Sequence, residues 1–377
     1  MPYPGEKLHD ARLLRPSWVE LDYSVIHQNL AIARKLIGKD KRIYFVCKGD
    51  GFGFGADEVA LAAAAADVDG LCAGSPEEVK KIRDAGVTLP IVLFASTLPN
   101  DLGKAIDLGA TVTIQSEEAL NAVLALNRDV EIFVEIDCGF GRFGFTEDQW
   151  KVAFARLAVQ DKVRMKGIYS HLSAPDDSEI STRQRQVYET ALADAEACGH
   201  VDFERMLASS RVMINYPDWP YSAVDPGRFI YGALDGEHMK RAGLKPLLHA
   251  IRGRIIHVQT HPPGTMLGIG YGVPIRIETT KRLAIVPIGF WDGLNHVPPL
   301  SRAIVNGQFV SAMGRRTFQH TLLDVSDVPD AGVGSLVTFM GNSGDLSISI
   351  DELAQDMGIP VMEAIPRLVR ALPHVHC

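Results

Sequence analysis

The sequence predicts an α/β fold in which a (β/α)8 barrel of the TIM type is followed by a smaller, mostly β domain. Between residues 40 and 235, short apolar runs alternate with amphipathic helical stretches. Strands that are apolar on both faces and separated by helices indicate a parallel sheet, and about eight such units fit a closed barrel better than an open sheet. After about residue 245 the runs become short and are divided by Pro, Gly and Asn turns. We therefore expect a barrel domain at 1–245 and a β-domain at 246–377.

The elements follow from these patterns. The barrel strands are expected at Ile43–Lys48, Gly70–Gly74, Ile91–Ala95, Val112–Gln115, Ile132–Asp137, Gly167–His171, Met206–Ser209 and Arg228–Tyr231. Helical patterns between them include Pro76–Asp84, Glu117–Leu126, Glu147–Leu157 and Thr182–Ala197. The β-domain is expected to contain strands at Leu248–His257, Thr265–Leu267, Arg282–Pro287, Ala303–Val305, Gln308–Ala312 and Leu336–Met340, and a helix at Ile350–Asp356.

Composition argues against several classes of function. The chain has 377 residues, of which 46% are hydrophobic and 22% charged, so a sizeable core is available. A net charge of −8 gives no reason to expect nucleic acid or an anionic membrane surface as a partner. The N-terminus lacks the apolar core of a signal peptide, and no apolar stretch is long enough for a transmembrane helix.

The cysteines point to a reducing compartment. None of the five has a spacing typical of zinc, and three lie within strand-like runs, so we expect core thiols rather than ligands or disulfides. The simplest location is the cytoplasm. The terminal His374, His376 and Cys377 resemble metal ligands, but we expect an exposed, frayed tail there and no metal site.

Lys48 is the first candidate for chemistry. It ends the run Ile43–Lys48 and is followed by a glycine-rich stretch, 49–55. Functional groups of a parallel barrel gather at the C-terminal ends of its strands, where such a lysine suits an amine nucleophile. These residues alone also allow a surface lysine before a flexible turn. A dinucleotide site is disfavoured, because the glycines lack the G-x-G-x-x-G spacing.

Several motifs, taken in order, resemble the alanine racemases. They are Arg15–Asp22, Phe45–Gly55, Asp137–Gly144, Tyr169–Leu172, Pro226-Gly227 with Tyr231-Gly232, Gly270–Gly272, Pro287–Gly293 and Gly314-Arg315. Each motif is weak alone, but they occur in the family's order across nearly the whole chain. The resemblance implies a pyridoxal 5′-phosphate (PLP) enzyme whose partner is a small-molecule amino-acid substrate. It also implies a homodimer in which each β-domain completes the partner's active site.

The resemblance assigns roles to individual residues. It implies that Lys48 holds the cofactor as a Schiff base and serves as one catalytic base. Tyr271 matches the second base, which acts on the opposite face and is assisted by a hydrogen bond from His171. Because a tyrosine has an ordinary pKa of about 10, it needs such help to act as a base. Arg142 matches the arginine that contacts the substrate carboxylate. The positions that match the cofactor's surroundings are Ser210, Gly227, Arg228 and Tyr231.

Two departures from the family lie beside the expected cofactor. Asp225 stands where alanine racemases have an arginine facing the pyridine nitrogen, and a carboxylate there would favour a protonated ring and a stronger electron sink. Arg228 is a possible substitute for that arginine, although its odd spacing turns it to the other face of an extended strand. Glu135 stands where many members have a modified lysine, and we expect it to form a charge-assisted pair with Arg142.

Other departures surround the expected substrate. Phe52 and Phe290 replace two family tyrosines, while Phe318 and Gln319 replace a methionine and an aspartate. The leading interpretation is therefore a racemase or epimerase for an amino acid other than alanine. A lyase of the same fold, such as an aldolase, dehydratase or decarboxylase, is the alternative that Asp225 favours. A non-catalytic cofactor-binding protein is a third reading, against which the β-domain bearing Tyr271 argues.

Overall fold

The computed structural model describes residues 13–66, 68–270, 273–297 and 300–377. They divide into two compact units, an α/β unit that comprises 24–232 and 240–245 and a β-unit that comprises the rest. Eight parallel strands close a barrel in the first unit. These strands are β2 (Arg42–Val46), β3 (Gly70–Ala73), β4 (Ile91–Leu93), β5 (Ala110–Ile114), β6 (Val130–Glu135), β7 (Val163–Tyr169), β8 (Glu204–Ala208) and β9 (Ala223–Val224). The predicted TIM-type barrel is confirmed.

Helices connect the barrel strands and begin where the sequence supplies caps. Ser75 and Ser116, for example, each accept a hydrogen bond from a backbone amide in the first turn of the helix that follows. The helices of this unit are α1 (Ser24–Ile37), α3 (Ala56–Ala65), α4 (Pro76–Asp84), α5 (Leu102–Asp107), α6 (Glu117–Ala125), α7 (Glu147–Ala158), α8 (Ser178–Ala197), α9 (Ser210–Asn215) and α10 (Arg228–Tyr231). A five-residue segment, α2 (Lys48–Phe52), follows the first barrel strand.

The predicted eighth strand was wrong. Residues Arg228–Tyr231 form the short helix α10, and the barrel closes through the two-residue strand β9, which pairs with both β8 and β2. The apolar run Phe229–Tyr231 is buried in a helix, a case that periodicity cannot separate from a buried strand. The argument that Arg228 turns away on an extended strand therefore no longer applies.

The barrel interior is filled by a cluster of mostly apolar side chains. Inward-facing residues of successive strands form this cluster, and Phe52 and Phe94 pack against it: Tyr44, Val46, Cys72, Val92, Phe133, Tyr169, Met206 and Ala223. Because side chains alternate along a strand, the residue two positions after each member continues the same inward row towards the barrel mouth. This alternation locates the polar and titratable side chains that are described below.

The β-unit is built on a seven-stranded sheet among the described residues. Its strands are β16 (Gln308–Val310), β15 (Ala303–Val305), β18 (Leu336–Ser343), β10 (Leu248–Arg254), β1 (Ser17–Leu21) and β20 (His374–His376) in order, with β19 (Leu346–Ile348) paired to β18. Smaller sheets contain β11 (His257–His261), β14 (Lys281–Val286) and β17 (Thr321–Asp324), and β12 (Met266–Leu267) with β13 (Ile275–Arg276). The further helices are α11 (Gly236–Ala242), α12 (Ile350–Met357) and α13 (Val361–Val369).

The first and the last described strands both join this sheet, contrary to two expectations. Strand β1, which the sequence analysis placed with the barrel, pairs antiparallel with β10. The tail was expected to be frayed, yet His374–His376 pairs in parallel with β1, and the Cys377 amide donates to Leu21. A buried network ties these strands together, because the Arg252 guanidinium donates to Glu20 at 2.7 Å and to Thr338 at 2.6 Å.

Candidate active site

Polar and titratable side chains continue the inward rows of the barrel just beyond its apolar layer. Lys48 lies two residues after Val46, and His171 two residues after Tyr169. Glu135 and Asp225 stand in the same relation to Phe133 and Ala223 on their own strands. All of these residues lie at or just beyond the C-terminal ends of their strands, which is the face where barrel enzymes carry their chemistry. The barrel mouth is thus the candidate site.

Lys48 is followed by a left-handed turn. Gly49, Asp50 and Gly51 have φ/ψ of 69°/41°, 52°/49° and 64°/38°, and Phe52 has φ of 59°. Left-handed conformation costs a non-glycine residue roughly 1–2 kcal/mol, so Asp50 and Phe52 must be held by their surroundings. The Gly51 amide donates to the Cys47 carbonyl at 2.8 Å, closing the turn.

A carboxylate on α4 holds this turn against the neighbouring strand. Glu78 accepts hydrogen bonds from the amides of Asp50 at 2.8 Å and Gly74 at 2.7 Å. A Cβ atom added to Gly74 would lie 2.8 Å from the Cβ atom of Lys48, so only glycine fits beside the lysine. The Asp50 carboxylate accepts from Lys81 at 2.8 Å. These contacts fix where the Lys48 side chain begins.

A cluster of backbone amides follows β9, the last barrel strand in the chain, which pairs with β2. The Ser210 hydroxyl accepts hydrogen bonds from the amides of Gly227 and Phe229, both at 3.1 Å. A Cβ atom on Gly227 would come within 3.3 Å of the Val46 Cβ atom, so glycine keeps this loop tight against β2. Converging amides and a hydroxyl at the start of a short helix are the donors that phosphate groups prefer.

Glu135 makes a different contact from the one we expected. The buried carboxylate accepts a hydrogen bond from the Tyr169 hydroxyl at 2.9 Å, and that hydroxyl lies 3.3 Å from the Thr113 hydroxyl. In the described residues Glu135 and Arg142 form no ion pair; the Arg142 guanidinium instead lies 4.5 Å from the centroid of the Phe140 ring. Burial raises the pKa of Glu135 to about 7, although Tyr169 and the nearby positive charges oppose that rise.

Asp225 is a second carboxyl with the same tendency. Burial raises its pKa to about 7, the positive charge of Lys48 opposes this, and the negative charge of Glu135 adds to it. Its own backbone amide donates to the Ala208 carbonyl at 3.2 Å, which fixes it at the end of β9. Two carboxyls of raised proton affinity therefore share the mouth with one lysine.

His171 is kept neutral by its surroundings. Burial lowers its pKa to about 4, and the positive charges of Lys48, Arg142 and Arg228 add to that effect. The imidazole also meets the Phe140 ring edge-on, with centroids 5.5 Å apart. At neutral pH it can therefore offer a hydrogen bond without adding positive charge. The positive charges of Lys48, Arg142 and Arg228 near His171 favour the binding of a carboxylate there.

Comparisons with known proteins identify the family of the chain. The family model described as "Alanine racemase, N-terminal domain" matches residues 21–235, and "Alanine racemase, C-terminal domain" matches 248–376. The chain belongs to the alanine racemase family. It is 27% identical over 371 residues to an alanine racemase of Methanococcus maripaludis, with 96% of this chain and 98% of the relative covered.

Further relatives support the same assignment. A Synechocystis alanine racemase is 28% identical over 368 residues, covering 95% of this chain and 98% of its own length. The crystal structure of the E. faecalis alanine racemase shares the fold, with a TM-score of 0.89, 24% identity, and coverage of 97% and 99%. Alanine racemases are PLP-dependent isomerases, and this chain is an enzyme of that class.

The barrel mouth fits PLP. Lys48 is positioned by the left-handed turn and by Gly74, and the Gly227 and Phe229 amides, which here donate to the Ser210 hydroxyl, would become phosphate donors if a phosphate replaced that hydroxyl as their acceptor. In the described chain, Gln115 Oε1 and Thr97 Oγ1 are buried without a hydrogen-bond partner. Gln115 directly follows β5 and Thr97 lies four residues after β4, so both lie beyond the C-terminal ends of barrel strands and are available to a bound ligand.

In this member of the alanine racemase family, most of the predicted site residues lie together at the mouth of the barrel. Tyr231 is an exception: it is fully buried, its hydroxyl donates to the Val46 carbonyl at 2.9 Å, and the ring packs against Phe52 and Phe54. It therefore supports the amide cluster from behind and does not present its hydroxyl to a ligand. Tyr271 lies outside the described residues.

The residues expected around the substrate lie in the β-unit. Phe290 and Phe318 meet edge-on with centroids 5.2 Å apart, and Trp291 stacks on Phe318 at 5.1 Å. Trp291 and Phe318 are 60% and 51% exposed, so the cluster is an aromatic surface rather than core. Gln319 beside it is also exposed. Sequence reasoning missed Trp291, although it lies within the matched motif Pro287–Gly293.

Sequence reasoning also missed residues that support the mouth. Tyr169 and Thr113 hold Glu135 from below, Phe94 lies with its ring centroid 5.3 Å from the Lys48 Nζ atom, and Glu78 holds the turn. The signal for the first three was the two-residue alternation within strands that were predicted correctly. Glu78 is on a helix, and no local pattern marks it.

Proposed function

We propose that this enzyme racemises an amino acid other than alanine, with Lys48 and Tyr271 as bases on opposite faces of the substrate. One observation carries the proposal. Lys48, His171 and Asp225 each continue the inward-facing residues of a barrel strand, so they surround one mouth, and the amides of Gly227 and Phe229 lie beside it. When bound there, PLP withdraws electrons from the substrate α-carbon and makes its proton acidic. The remaining work belongs to the side chains of this chain.

The substrate carboxylate is recognised by positive charge. Lys48, Arg142 and Arg228 all act on His171 electrostatically, which locates them around the same volume. Arg142 is exposed and carries no ion pair in the described part of the chain, so it is available to an incoming carboxylate. Its rest position on Phe140 keeps the guanidinium near the mouth at little cost.

Proton transfer needs two groups that act from different sides. Lys48, at the end of β2, can hold the proton on one side. A neutral His171 can hydrogen-bond a tyrosine without charging, which is the assistance Tyr271 requires to give and take a proton. The two-base assignment predicts that replacing Tyr271 by Phe blocks α-proton exchange preferentially from one enantiomer.

Substrate choice rests on the aromatic surface of the β-unit. Phe290, Trp291 and Phe318 form a contiguous exposed cluster, and Gln319 adds an amide beside it. Large exposed aromatics favour side chains bigger than a methyl group, because they offer apolar area and ring faces. We therefore favour a larger amino acid as substrate, with Gln319 available to a polar side chain.

The test is proton NMR in deuterated water with PLP-loaded enzyme and a panel of L-amino acids. Loss of an α-proton signal at constant amino-acid concentration, with appearance of the D-form, is expected for one or a few larger substrates. Tyr271→Phe should then exchange one enantiomer much faster than the other. Tyr216→Phe is the matched control, because that ring stacks on Trp219 in the barrel unit. Equal retention of both exchange rates in Tyr271→Phe would refute the two-base assignment.

A lyase is the second candidate, and Asp225 favours it. A carboxyl near the cofactor ring strengthens electron withdrawal and widens the range of bonds that can be broken at the α-carbon. The same NMR experiment separates the two: a lyase consumes the amino acid and yields a keto acid, an aldehyde or carbon dioxide. Constant amino-acid concentration excludes it.

We also propose that the active form is a homodimer with shared sites, in a reducing compartment such as the cytoplasm. The buried free thiols of Cys47 and Cys72 agree with the compartment. Co-expression of Lys48→Ala and Tyr271→Phe chains tests the sharing. Mixed dimers would contain one intact site each, so roughly a quarter of wild-type activity should return. No recovery over the separate variants would show that each chain supplies both bases itself.

A further inference from the structure

Two carboxyls face each other across the barrel mouth, and the racemisation chemistry proposed above uses neither. Asp225 follows the inward-facing Ala223 of β9 by two residues, and Glu135 follows the inward-facing Phe133 of β6 by two residues. Burial raises the pKa of each to about 7, and the negative charge of Glu135 adds to the rise at Asp225. Lys48 and Glu135 act electrostatically on Asp225, and Asp225 in turn acts on the Cys72 thiol and on Tyr188. The groups that act on Glu135 include Tyr169, Arg142, Lys48 and Asp137.

The chemistry of PLP assigns one of these carboxyls. The cofactor is a rigid aromatic ring with three polar ends: a carbonyl carbon, a phosphate and a ring nitrogen. Lys48 accounts for the first, and the Ser210 and Gly227 amide cluster for the second. The ring nitrogen still needs a partner, and Asp225, which follows β9, lies two residues before Gly227 in the chain. A buried carboxyl is a suitable partner, because it can share a proton with an aromatic nitrogen.

We propose that Asp225 is the partner of the cofactor's ring nitrogen and that Glu135 is a positioning residue that keeps a proton in that contact. The proposal rests on the placement of the cofactor in the proposed function. Glu135 acts through its negative charge, because a second carboxylate in a low-dielectric mouth raises the affinity for a proton of the whole contact between Asp225 and the ring nitrogen. The Tyr169 hydroxyl holds Glu135 in place at 2.9 Å, which fixes the direction of that field.

This arrangement changes what the cofactor can do. A ring nitrogen that stays protonated withdraws electrons from the α-carbon more strongly than a neutral ring. The enzyme therefore acidifies the α-proton through the ring as well as through Lys48. Substrates whose α-protons are less acidic become accessible, at the cost of slow side reactions that consume amino acid or convert the cofactor.

Nitrogen NMR tests the proposal without relying on turnover. The enzyme is loaded with PLP labelled with 15N at the ring, and the resonance is followed from neutral to mildly alkaline pH. The wild-type resonance should stay at the position of a protonated pyridine. Asp225→Asn should move it to the unprotonated position, and Asp225→Glu should restore it. Glu135→Gln should lower the pH at which the ring loses its proton by about one unit.

Glu204→Gln is the matched control. Glu204 is a carboxyl that accepts a hydrogen bond from the barrel residue Tyr44 at 2.9 Å, but it lies at the start of β8, at the opposite end of the barrel. Its substitution should leave the resonance unchanged. An unprotonated ring in the wild type, or the same resonance in Asp225→Asn as in the wild type, would overturn the proposal. So would equal shifts in Glu135→Gln and Glu204→Gln.

The outcome is separable from the failure of the proposed function. A protonated ring that depends on Asp225, in an enzyme that exchanges no α-proton, keeps the ring contact and rejects the racemase. Exchange and D-amino-acid formation with an unprotonated ring reject the Asp225 contact and keep the racemase. Asp225→Glu guards against misfolding, because a restored resonance requires a folded, loaded protein.

Discussion

The two ends of the barrel carry the same chemical pair, a tyrosine that donates to a glutamate, but they surround it differently. At the end where the strands begin, Glu204 accepts from Tyr44 and forms an ion pair with Arg42 at 3.3 Å. At the mouth, Glu135 accepts from Tyr169 at the same 2.9 Å but forms no ion pair in the described residues. One carboxylate is neutralised by a cation and the other is left with a raised pKa.

The difference separates stability from function. A paired carboxylate at the closed end ties β2 to β8 and serves the fold. An unpaired, buried carboxylate works against the fold once it is ionised, and such groups persist in active sites because the chemistry needs them. The comparison therefore predicts that the same substitution, Glu to Gln, acts in opposite directions at the two ends.

The largest effect is expected at Glu135. Its pKa rises from an ordinary 4.5 to about 7 in the folded protein, so the folded state holds the proton more tightly. That contribution to stability is complete below about pH 4.5 and is lost as the pH rises through about 7. Glu135→Gln keeps a neutral side chain at every pH. It should be more stable than wild type by up to about 3 kcal/mol at alkaline pH and equal to it in acid.

Urea unfolding of the cofactor-free protein across this pH range measures the effect. A difference between variant and wild type that does not change with pH would mean that Glu135 titrates in the folded protein as it does in the unfolded chain.

A smaller effect of opposite sign is expected at Glu204. Glu204→Gln removes the ion pair to Arg42 but keeps an acceptor for Tyr44. Because the Arg42 side chain is 54% exposed, the loss should be modest, about 1–2 kcal/mol, with unchanged exchange kinetics. The same urea titrations measure it. A stabilised Glu204→Gln would break the contrast between the two ends.

A third effect, whose size depends on pH, is expected at the two tyrosines. Tyr169→Phe removes the donor to Glu135, and a hydrogen bond to a charged acceptor is stronger than one to a neutral acceptor. Its cost should therefore grow from about 1 kcal/mol in acid as the pH passes about 7. Tyr44→Phe, measured in parallel, is the control at the closed end. Identical pH profiles for both variants would show that the mouth is electrostatically ordinary.

Much of the barrel could be predicted because its signals are local. Seven of the strands coincide with apolar runs flanked by helices, and Lys48 and His171 lie at the ends of two of these predicted strands, whereas Asp225 was identified only through the family resemblance. The eighth strand could not be found, because Ala223–Val224 is too short to form a pattern, while the apolar run after it is longer and helical. Burial alone does not distinguish the two.

The features that the sequence did not predict depend on partners that are distant in sequence. Strand β1 belongs to the β-unit because it pairs with β10, more than two hundred residues along the chain, and nothing within 17–21 encodes that choice. The partner of Glu135 was misjudged for a similar reason. Tyr169 reaches it from the adjacent strand, and strand adjacency is a property of the closed barrel rather than of either segment.

The left-handed turn after Lys48 also limits which substitutions residues 49–52 can accept during evolution. A change within β2 exchanges one apolar side chain for another, and its neighbours adjust. At Gly51 an added Cβ atom would lie 2.9 Å from the Val59 Cγ2 atom, in a conformation that side chains rarely adopt. Most single substitutions there would displace the lysine and be lost to selection. The position of Lys48 is thus inherited through the backbone of its turn, which should drift more slowly than the strand that leads into it.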